Sequence, residues 1–157
     1  MIKLDDAYHT DNIFAKILRG ELPSIRLYED AETLSFMDIM PQVPGHVLVI
    51  PKTPATNILT LPEPAGAALI RTVQIMSRAV QVAMDAPGLL IAQLNGSAAG
   101  QTVPHIHMHI LPRHDGLELA FHAREPADPS ELEEIAKKIR AALQSPLFKH
   151  RTDQQNS

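Results

Sequence analysis

Three histidines, His105, His107 and His109, alternate with apolar residues in one short stretch of the chain. Because successive side chains of a β-strand point to opposite faces, we expect the imidazoles to share one face, about 6.6–6.8 Å apart per two-residue step. A row of imidazoles is costly to bury unless each ring finds a polar partner. The pattern therefore favours a site that uses histidine chemistry; the alternative is a solvated strand face that happens to carry histidines.

A metal site is the first chemistry to consider, since His-x-His on a strand is an accepted zinc spacing. The outer two imidazoles begin about 13 Å apart, however, and cannot join the middle one around a single ion with ~2 Å bonds. At most two ligands can come from this stretch, and His46 is the candidate for extending the set. We expect that no cofactor is required, although adventitious zinc is compatible with the pattern.

Covalent catalysis is the second possibility, because histidine can attack phosphorus and form a covalent intermediate. The attacking imidazole must be neutral, and a hydrogen bond from its other nitrogen should fix the tautomer. His107 is best placed for this role, since an imidazole stands on each side of it. A protonated neighbour can stabilise the phosphate oxygens or protonate the leaving group.

The segment before the histidines, residues 95–102, combines glycines with amide and hydroxyl donors. Glycines such as Gly100 allow backbone N–H groups to approach an anion closely. Gln101 and Thr102 can hydrogen-bond phosphate oxygens or the bridging atom. Alone, such a segment is typical of an ordinary hairpin turn; beside three histidines it indicates a phosphate site.

Two amphipathic stretches predict the first helices. Residues 12–19 carry apolar side chains at helical spacing, with Asp11 as the N-cap and Gly20 just past the end. A long helix is predicted over 62–84, where a proline stands near its first turn. Both helices would pack one apolar stripe against the rest of the domain.

The last helix is predicted over 130–143, with Ser130 as the N-cap and Glu133 completing a capping box. Short β-branched and apolar runs predict strands, two of them ended by Pro51 and Pro112. Two hairpins, a helix and another hairpin indicate an α+β protein with an antiparallel sheet of five to six strands, two main helices and a C-terminal helix. The strands are predicted over 25–28, 33–37, 46–50, 89–94 and 105–111.

The length of 157 residues fits one domain, which we divide into a core over 12–113, an extension over 114–148 and a frayed tail over 149–157. The absence of cysteine excludes disulfides, thiolate catalysis and cysteine-bound metals. A net charge of −4 argues against a nucleic-acid polymer as partner. No apolar run approaches about 18 residues, and residues 1–10 lack the apolar core of a secretory signal, so we expect a cytoplasmic protein with no membrane partner.

The stretch 100–110 resembles the His-x-His-x-His-x-x signature of the histidine triad (HIT) superfamily of nucleotide hydrolases and transferases. The likeness extends beyond this signature and runs in order from about Asn12 to Arg113. Residues 14–23 resemble the N-terminal helix of that family. In the family this helix is followed by strands, and those strands are similar to residues 27–30, 36–39 and 44–52 of this chain.

This resemblance implies a homodimer whose sheets join across the interface, and hydrolysis or transfer of a purine nucleotide through a nucleotidyl-histidine intermediate. It makes His107 the nucleophile, with His105 and His109 as supporting members and His46 packed near them. By the same resemblance, Asp38 binds the ribose hydroxyls, a role for which a carboxylate is a suitable acceptor. The phosphate and leaving group contact Asn95, Gln101 and Thr102, and the base slot is formed by Ile13, Phe14, Ile17, Phe36 and Ile39.

Two branches of the superfamily are resembled in different places. Asp38, Ile39 and Asn95 resemble the Hint branch, whose members cleave nucleoside phosphoramidates, whereas Thr102 and residues 111–113 resemble the Fhit branch, which hydrolyses dinucleoside polyphosphates. We therefore expect a phosphoramidase-like enzyme that retains AMP or GMP. Dinucleoside polyphosphate hydrolysis and a nucleotide-binding regulatory module with vestigial catalysis are the alternatives.

Overall fold

The computed structural model describes residues 1–116 and 125–146. It confirms the α+β class and an antiparallel sheet, with five strands and three helices in these residues. The predicted tail, 149–157, lies outside the described residues. The elements are α1 (Ile13–Leu18), β1 (Arg26–Glu29), β2 (Thr33–Met37), β3 (Val47–Pro51), α2 (Glu63–Met84), β4 (Gly88–Gln93), a short 3-10 turn (Ser97–Ala99), β5 (Met108–Arg113) and α3 (Pro129–Gln144).

The sheet has the strand order β1-β2-β3-β5-β4, and every neighbouring pair is antiparallel. β4 and β5 form a hairpin whose connection contains residues 95–102, hereafter the glycine loop. The histidine segment, residues 105–109, begins in this connection and ends within β5. β3 pairs with β5 opposite His109, so the end of the histidine segment lies in the middle of the sheet. None of the helices in residues 1–116 and 125–146 combines the length and apolarity that crossing a membrane requires.

Side-chain alternation along the central strands divides the core between the two faces of the sheet. Val47 and Val49 of β3 pack on the face that α2 and α3 cover, and Leu48 and Ile50 pack on the face that α1 covers. β2 and β3 are therefore buried along their whole length. The smaller cluster, on the α1 face, consists of Phe14, Ile17, Leu34, Phe36, Leu48 and Ile50.

Two predicted helix caps are wrong. Asn12, and not Asp11, caps α1, because its side-chain oxygen accepts the backbone N–H of Ala15 at 2.9 Å, the third residue of the helix. Asp128, and not Ser130, caps α3, since one of its carboxylate oxygens accepts the backbone N–H of Ser130 at 2.8 Å. The expected capping box does not form: Glu133 instead accepts a hydrogen bond from Arg140.

The predicted bounds of β5 and β3 are also wrong. β5 begins at Met108 rather than at 105, and it continues through Pro112 to Arg113. Among residues 1–116 and 125–146, β5 beyond Ile110 pairs only with β4, so a residue without an N–H is tolerated there. β3 likewise includes Pro51, which is the last residue of its ladder with β2.

The segment from 38 to 46, hereafter the rim loop, joins β2 to β3 and borders the site described below. Gly45 has φ +88°, and a Cβ there would lie 2.8 Å from Cγ of Met84 and 3.0 Å from Cγ of Pro112. Only glycine fits this combination of left-handed backbone and close packing. On its other side the loop is held by the C-terminal part of the chain, where the N–H of Ala127 donates to the carbonyl of Ile39 at 3.1 Å.

Candidate active site

A cavity of about 430 Å³ opens on the α1 face of the sheet, between α1, the rim loop, the glycine loop and the histidine segment. Most of the predicted site residues line it. Three of them do not: His105, Asn95 and Gln101 lie outside its lining. The predicted residues that line the cavity are Ile13, Phe14, Ile17, Phe36, Asp38, Ile39, His46, Gly100, Thr102, His107 and His109.

The histidine segment keeps the expected alternation, although its first three residues lie outside the strand ladder. Ile106 packs into the core on the α2 face. His107 lies on the opposite side, where its ring and that of Phe14 are nearly perpendicular with centroids 5.0 Å apart. His109 follows two residues later, with its ring centroid 4.9 Å from that of His107. Two imidazoles therefore stand side by side at the cavity wall.

The tautomer of His107 is fixed by the backbone of its own segment. Its Nδ1 lies 2.7 Å from the carbonyl oxygen of His105. Because a carbonyl oxygen can only accept, Nδ1 must carry the proton, and the lone pair is then on Nε2. Burial lowers the pKa of His107 below the usual value of 6.5, which keeps the ring neutral at pH 7. This imidazole has the protonation state that a nucleophile requires.

A second pair of rings, His46 and His109, has its tautomers set in the same way. The backbone N–H of Gln42 donates to Nδ1 of His46 at 3.1 Å, so a neutral His46 carries its proton on Nε2. That nitrogen lies 2.9 Å from Nδ1 of His109 and donates to it. Burial lowers the pKa of His46 to about 4, with His107 adding a smaller effect. His109 thus accepts at Nδ1 and carries a proton on Nε2.

Asp38 lies beside this pair at the rim of the cavity. One carboxylate oxygen accepts the N–H of Met40 at 2.8 Å, and the other lies 3.4 Å from Nε2 of His46. Burial raises the pKa of Asp38 to about 6, so the group is mostly ionised at pH 7 while His46 is neutral. The contact is therefore between a carboxylate and a neutral N–H donor, not between two ions.

Asp38, His46 and His109 also form a group that could hold a metal ion, since their ligand atoms all lie within 4.8 Å of one another. A metal at Nε2 of His46 would have to displace the proton that the N–H of Gln42 keeps there. Moving that proton to Nδ1 would leave two N–H groups facing each other, which costs the hydrogen bond of the backbone amide. The hydrogen-bond pattern thus favours a proton over a metal in this group.

His105 is fully buried and lies behind the cavity wall. Its Nε2 lies 2.9 Å from the carbonyl oxygen of Pro51, and its Nδ1 lies 2.6 Å from the hydroxyl of Tyr8. Burial lowers the pKa of His105 to about 4. A neutral ring with both nitrogens engaged has no proton to give to a phosphate, so this member of the triad has a structural place in the site.

Gln101 and Asn95 use their side chains inside the protein. The oxygen of Gln101 accepts the N–H of Gly96 at 2.7 Å, and its nitrogen donates to the carbonyls of Thr56 and Val103. The side-chain oxygen of Asn95 accepts the backbone N–H of Ile58 at 2.9 Å. These two side-chain amides hold the glycine loop through hydrogen bonds on the side away from the cavity. Gly100 and Thr102 are the predicted residues of the loop that line the cavity.

Sequence reasoning missed several lining residues. Met40, Gln42, Leu94 and Val103 all line the cavity. The apolar members have no signal in the sequence that separates them from core residues. Gln42 acts through its backbone N–H, which no side-chain pattern reports. Tyr8, which contacts His105 from outside the cavity, lies in a segment without periodicity.

Comparison with known proteins shows the family to which the chain belongs. A family model for the HIT domain matches residues 19–116. The adenosine 5'-monophosphoramidase HNT1 of Candida albicans is 33% identical to this chain over 144 residues, which cover 87% of this chain and 94% of the relative. A crystal structure of a HIT-like protein involved in cell-cycle regulation from Bartonella henselae, with an unknown ligand, is 47% identical with a TM-score of 0.83 and covers 87% of this chain and 99% of that chain. A zinc-bound histidine triad protein from Mycobacterium smegmatis is 39% identical with a TM-score of 0.76 and covers 86% of this chain and 94% of that chain. The chain belongs to the HIT domain family.

Proposed function

We propose that this protein is a nucleotide hydrolase that cleaves nucleoside phosphoramidates at the α-phosphate, with His107 as the nucleophile and AMP or GMP as the retained group. The observation that carries the proposal is the 2.7 Å contact between Nδ1 of His107 and the carbonyl of His105, which leaves the lone pair of a neutral imidazole on Nε2 beside the cavity. The phosphoramidase name of the Candida albicans relative supports the substrate class.

The cavity lining suggests how the nucleotide lies. Its volume, about 430 Å³, is within the usual range for a small-molecule site. The apolar end, with Ile13, Ile17 and Phe36, suits a planar base, and the carboxylate of Asp38 accepts hydrogen bonds from the ribose hydroxyls. The α-phosphate then lies at the glycine loop, where Gly100 has φ +97° and Thr102 offers a hydroxyl.

The reaction proceeds in two displacements. Nε2 of His107 forms a bond to the α-phosphorus, the phosphorus–nitrogen bond of the substrate breaks, and the leaving nitrogen takes a proton from water in the open cavity. In the second step water attacks the phosphorus and gives up a proton, which neutralises the hydroxide left by the first step; the bond to His107 breaks, and its electron pair returns to Nε2. The Nε2–H of His109 donates a hydrogen bond to the phosphoryl group in both steps.

The same geometry changes the role that a flanking histidine plays. The sequence suggested a protonated neighbour, but His105 is neutral at pH 7, and Nδ1 of His109 accepts the proton of His46. His109 therefore works as a neutral donor whose orientation depends on His46. Charge on the phosphoryl group is balanced by hydrogen bonds from fixed donors rather than by an imidazolium.

A brief reaction with adenosine 5'-phosphoramidate, quenched and analysed by mass spectrometry after digestion, tests the proposal. We expect an adenylyl adduct on His107, and neither adduct nor AMP from His107→Ala; the exposed His9→Ala is the matched control and should behave as wild type. Free AMP without an adduct would indicate fast second-step hydrolysis, and the His107→Ala result then decides the nucleophile. A wild-type protein that gives neither product, or a fully active His107→Ala, contradicts the proposal. A higher kcat/KM for a diadenosine polyphosphate would replace the substrate class and keep the nucleophile.

We also propose that the protein is a homodimer in which two sheets join at β4. Within the described residues β4 pairs only with β5, and its sequence, Gly88–Gln93, is largely apolar with Ile91 40% exposed. An unpaired apolar edge is prone to associate. Sedimentation equilibrium should show a dimer that Ile91→Lys weakens; a monomer at all concentrations would contradict the dimer and leave the chemistry untouched.

A further inference from the structure

The N-terminal segment, residues 1–12, lies across the back of the glycine loop. The N–H of Ile2 donates to the hydroxyl of Ser97 at 2.7 Å, and the N–H of Ser97 donates to the carbonyl of Ile2 at 2.8 Å. Further along, the side chain of Asn57 donates to the carbonyl of Leu4 at 2.9 Å. Hydrogen bonds in place of a helix or strand hold this segment against the loop.

Tyr8 connects the same segment to the histidine triad. Its hydroxyl lies 2.6 Å from Nδ1 of His105, and the edge of one ring faces the other with centroids 5.6 Å apart. The carbonyl of Pro51 lies 2.9 Å from the other nitrogen of His105 and can only accept, so the proton of the neutral ring is on Nε2. Nδ1 is then an acceptor, and the hydroxyl of Tyr8 is its donor.

His105 transmits this contact to the nucleophile through its main chain. The carbonyl of His105 is the group that accepts Nδ1–H of His107. The imidazole of His105 is held at both nitrogens, and its ring is fully buried, so the position of that carbonyl depends on both contacts. Tyr8 lies outside the cavity lining and acts only through His105.

We propose that Tyr8 is a positioning residue for the reaction: its hydroxyl holds the ring of His105 in place, and the carbonyl of His105 then holds the tautomer and orientation of His107. This inference rests on the proposed function for its effect on turnover. The effect on the two rings themselves does not depend on any substrate.

Removing the hydroxyl leaves His105 without a good alternative. With phenylalanine at position 8, Nδ1 of His105 is a buried acceptor with no donor, and a buried unpaired polar atom is costly. Moving the ring proton to Nδ1 would leave the carbonyl of Pro51 without its donor. The ring must therefore shift or fluctuate, and the carbonyl that orients His107 moves with it.

The test compares Tyr8→Phe with Tyr28→Phe in the full chain. Tyr28 is the matched control, since its hydroxyl donates to Asp30 in the β1–β2 hairpin, away from the cavity. Nitrogen-15 NMR of the imidazoles reports the tautomer of each ring without substrate. We expect His105 as Nε2–H and His107 as Nδ1–H in the wild type and in Tyr28→Phe, and shifted or broadened signals for both rings in Tyr8→Phe.

Kinetics supply the second readout. Tyr8→Phe should lower kcat for adenosine 5'-phosphoramidate by roughly three- to tenfold, the loss expected from one hydrogen bond, with KM little changed. Unchanged ring signals together with the kcat of Tyr28→Phe would overturn the proposal. If Tyr8→Phe fails to fold, the wild-type spectrum decides, because an Nδ1–H tautomer of His105 is incompatible with donation from Tyr8. If the wild type turns over no substrate, the proposed function fails, while the NMR comparison still tests Tyr8.

Discussion

Nε2 of His46 lies 2.9 Å from Nδ1 of His109. Because the backbone N–H of Gln42 donates to the other nitrogen of the His46 ring, Nε2 carries the proton and is the donor to His109. Two histidines 63 residues apart in the chain thus share one hydrogen bond whose direction is set by a main-chain amide. The proton that His109 presents from Nε2 depends on this relay, although His46 itself transfers nothing to the substrate.

Replacement of His46 should therefore lower turnover more than binding. His46→Leu removes the donor to His109, and we expect kcat to fall roughly tenfold, which corresponds to the loss of about one buried hydrogen bond. His46→Gln, which keeps an N–H donor, should restore part of that loss, and His9→Gln should have no effect. Equal kcat values for the Leu and Gln variants would contradict the relay.

Nucleoside affinity should rise as the pH increases through about 6. Below this value Asp38 is protonated and is a weaker acceptor for ribose hydroxyls; above it the carboxylate accepts fully. Calorimetric titration with adenosine, which has no phosphate to titrate, should show affinity increasing roughly tenfold between pH 5 and pH 7.5. In Asp38→Asn, or with a nucleoside lacking both ribose hydroxyls, a slope of the same size would contradict the assignment.

Acid should destabilise the protein through its buried histidines. The pKa values of His46 and His105 are about 4 in the fold and near 6.5 when unfolded, so between these values the unfolded chain binds protons that the native state does not. Their stabilising contribution is complete above pH 6.5 and is lost as the pH falls, by up to about 1.4 kcal/mol per pH unit for each ring. Asp38, whose pKa is raised to about 6, acts in the opposite direction below that pH, but it is outweighed by these two histidines together with His107, whose pKa burial also lowers. Urea unfolding from pH 7.5 to 4.5 should show this slope, and a smaller one in His46→Gln; equal slopes would refute it.

Turnover should not require a metal ion. The only neutral tautomer of His46 that satisfies Gln42 has a proton on the nitrogen that would ligate within the Asp38, His46 and His109 group. We expect full activity after prolonged dialysis against EDTA, measured with adenosine 5'-phosphoramidate. Activity that disappears in the chelator and returns with zinc would show that the metal displaces this proton in the working enzyme.

Replacement of Gly45, the one glycine of the rim loop, should destabilise the protein. Gly45→Ala adds a Cβ 2.8 Å from Cγ of Met84 to a left-handed backbone, and we expect about 2–4 kcal/mol of lost stability. Gly20→Ala is the matched control, because φ at Gly20 is +76° but nothing lies within 4 Å of the added Cβ. Urea unfolding of both variants separates backbone strain from crowding, and equal losses would show that Met84 and Pro112 yield without cost.

The local patterns predicted most of the fold. The 22-residue α2 and the alternation from 105 to 110 follow from periodicity, which needs no knowledge of distant residues. The choice between Asp11 and Asn12 as a cap does not, since both residue types cap well and only the position of the Ala15 N–H separates them. Predicted boundaries therefore failed by one to three residues while the elements themselves were right.

The chemistry inside the site was less predictable, for a reason that Gln101 illustrates. An amide beside a glycine loop suggested a phosphate contact, but its nitrogen reaches the carbonyl of Thr56, 45 residues away. The acceptor and the donor that set the ring of His105, the carbonyl of Pro51 and the hydroxyl of Tyr8, come from positions 54 and 97 residues away in the chain. Sequence spacing identifies which histidines lie close together in the site. Their tautomers depend on hydrogen-bond partners from distant parts of the chain, which only folding brings into contact.

The division of the core between the two faces of the sheet places the cavity beside the smaller of two apolar clusters. The larger cluster, under α2 and α3, contains most of the buried apolar residues, while four of the six residues in the smaller cluster under α1 also line the cavity, namely Phe14, Ile17, Phe36 and Leu48. Substitutions at Phe14 or Ile17 would therefore change the cavity wall and the smaller cluster, but neither residue belongs to the larger cluster. We expect the α1 face to be the first part of the molecule to open in hydrogen exchange and the first to be protected when a nucleotide binds.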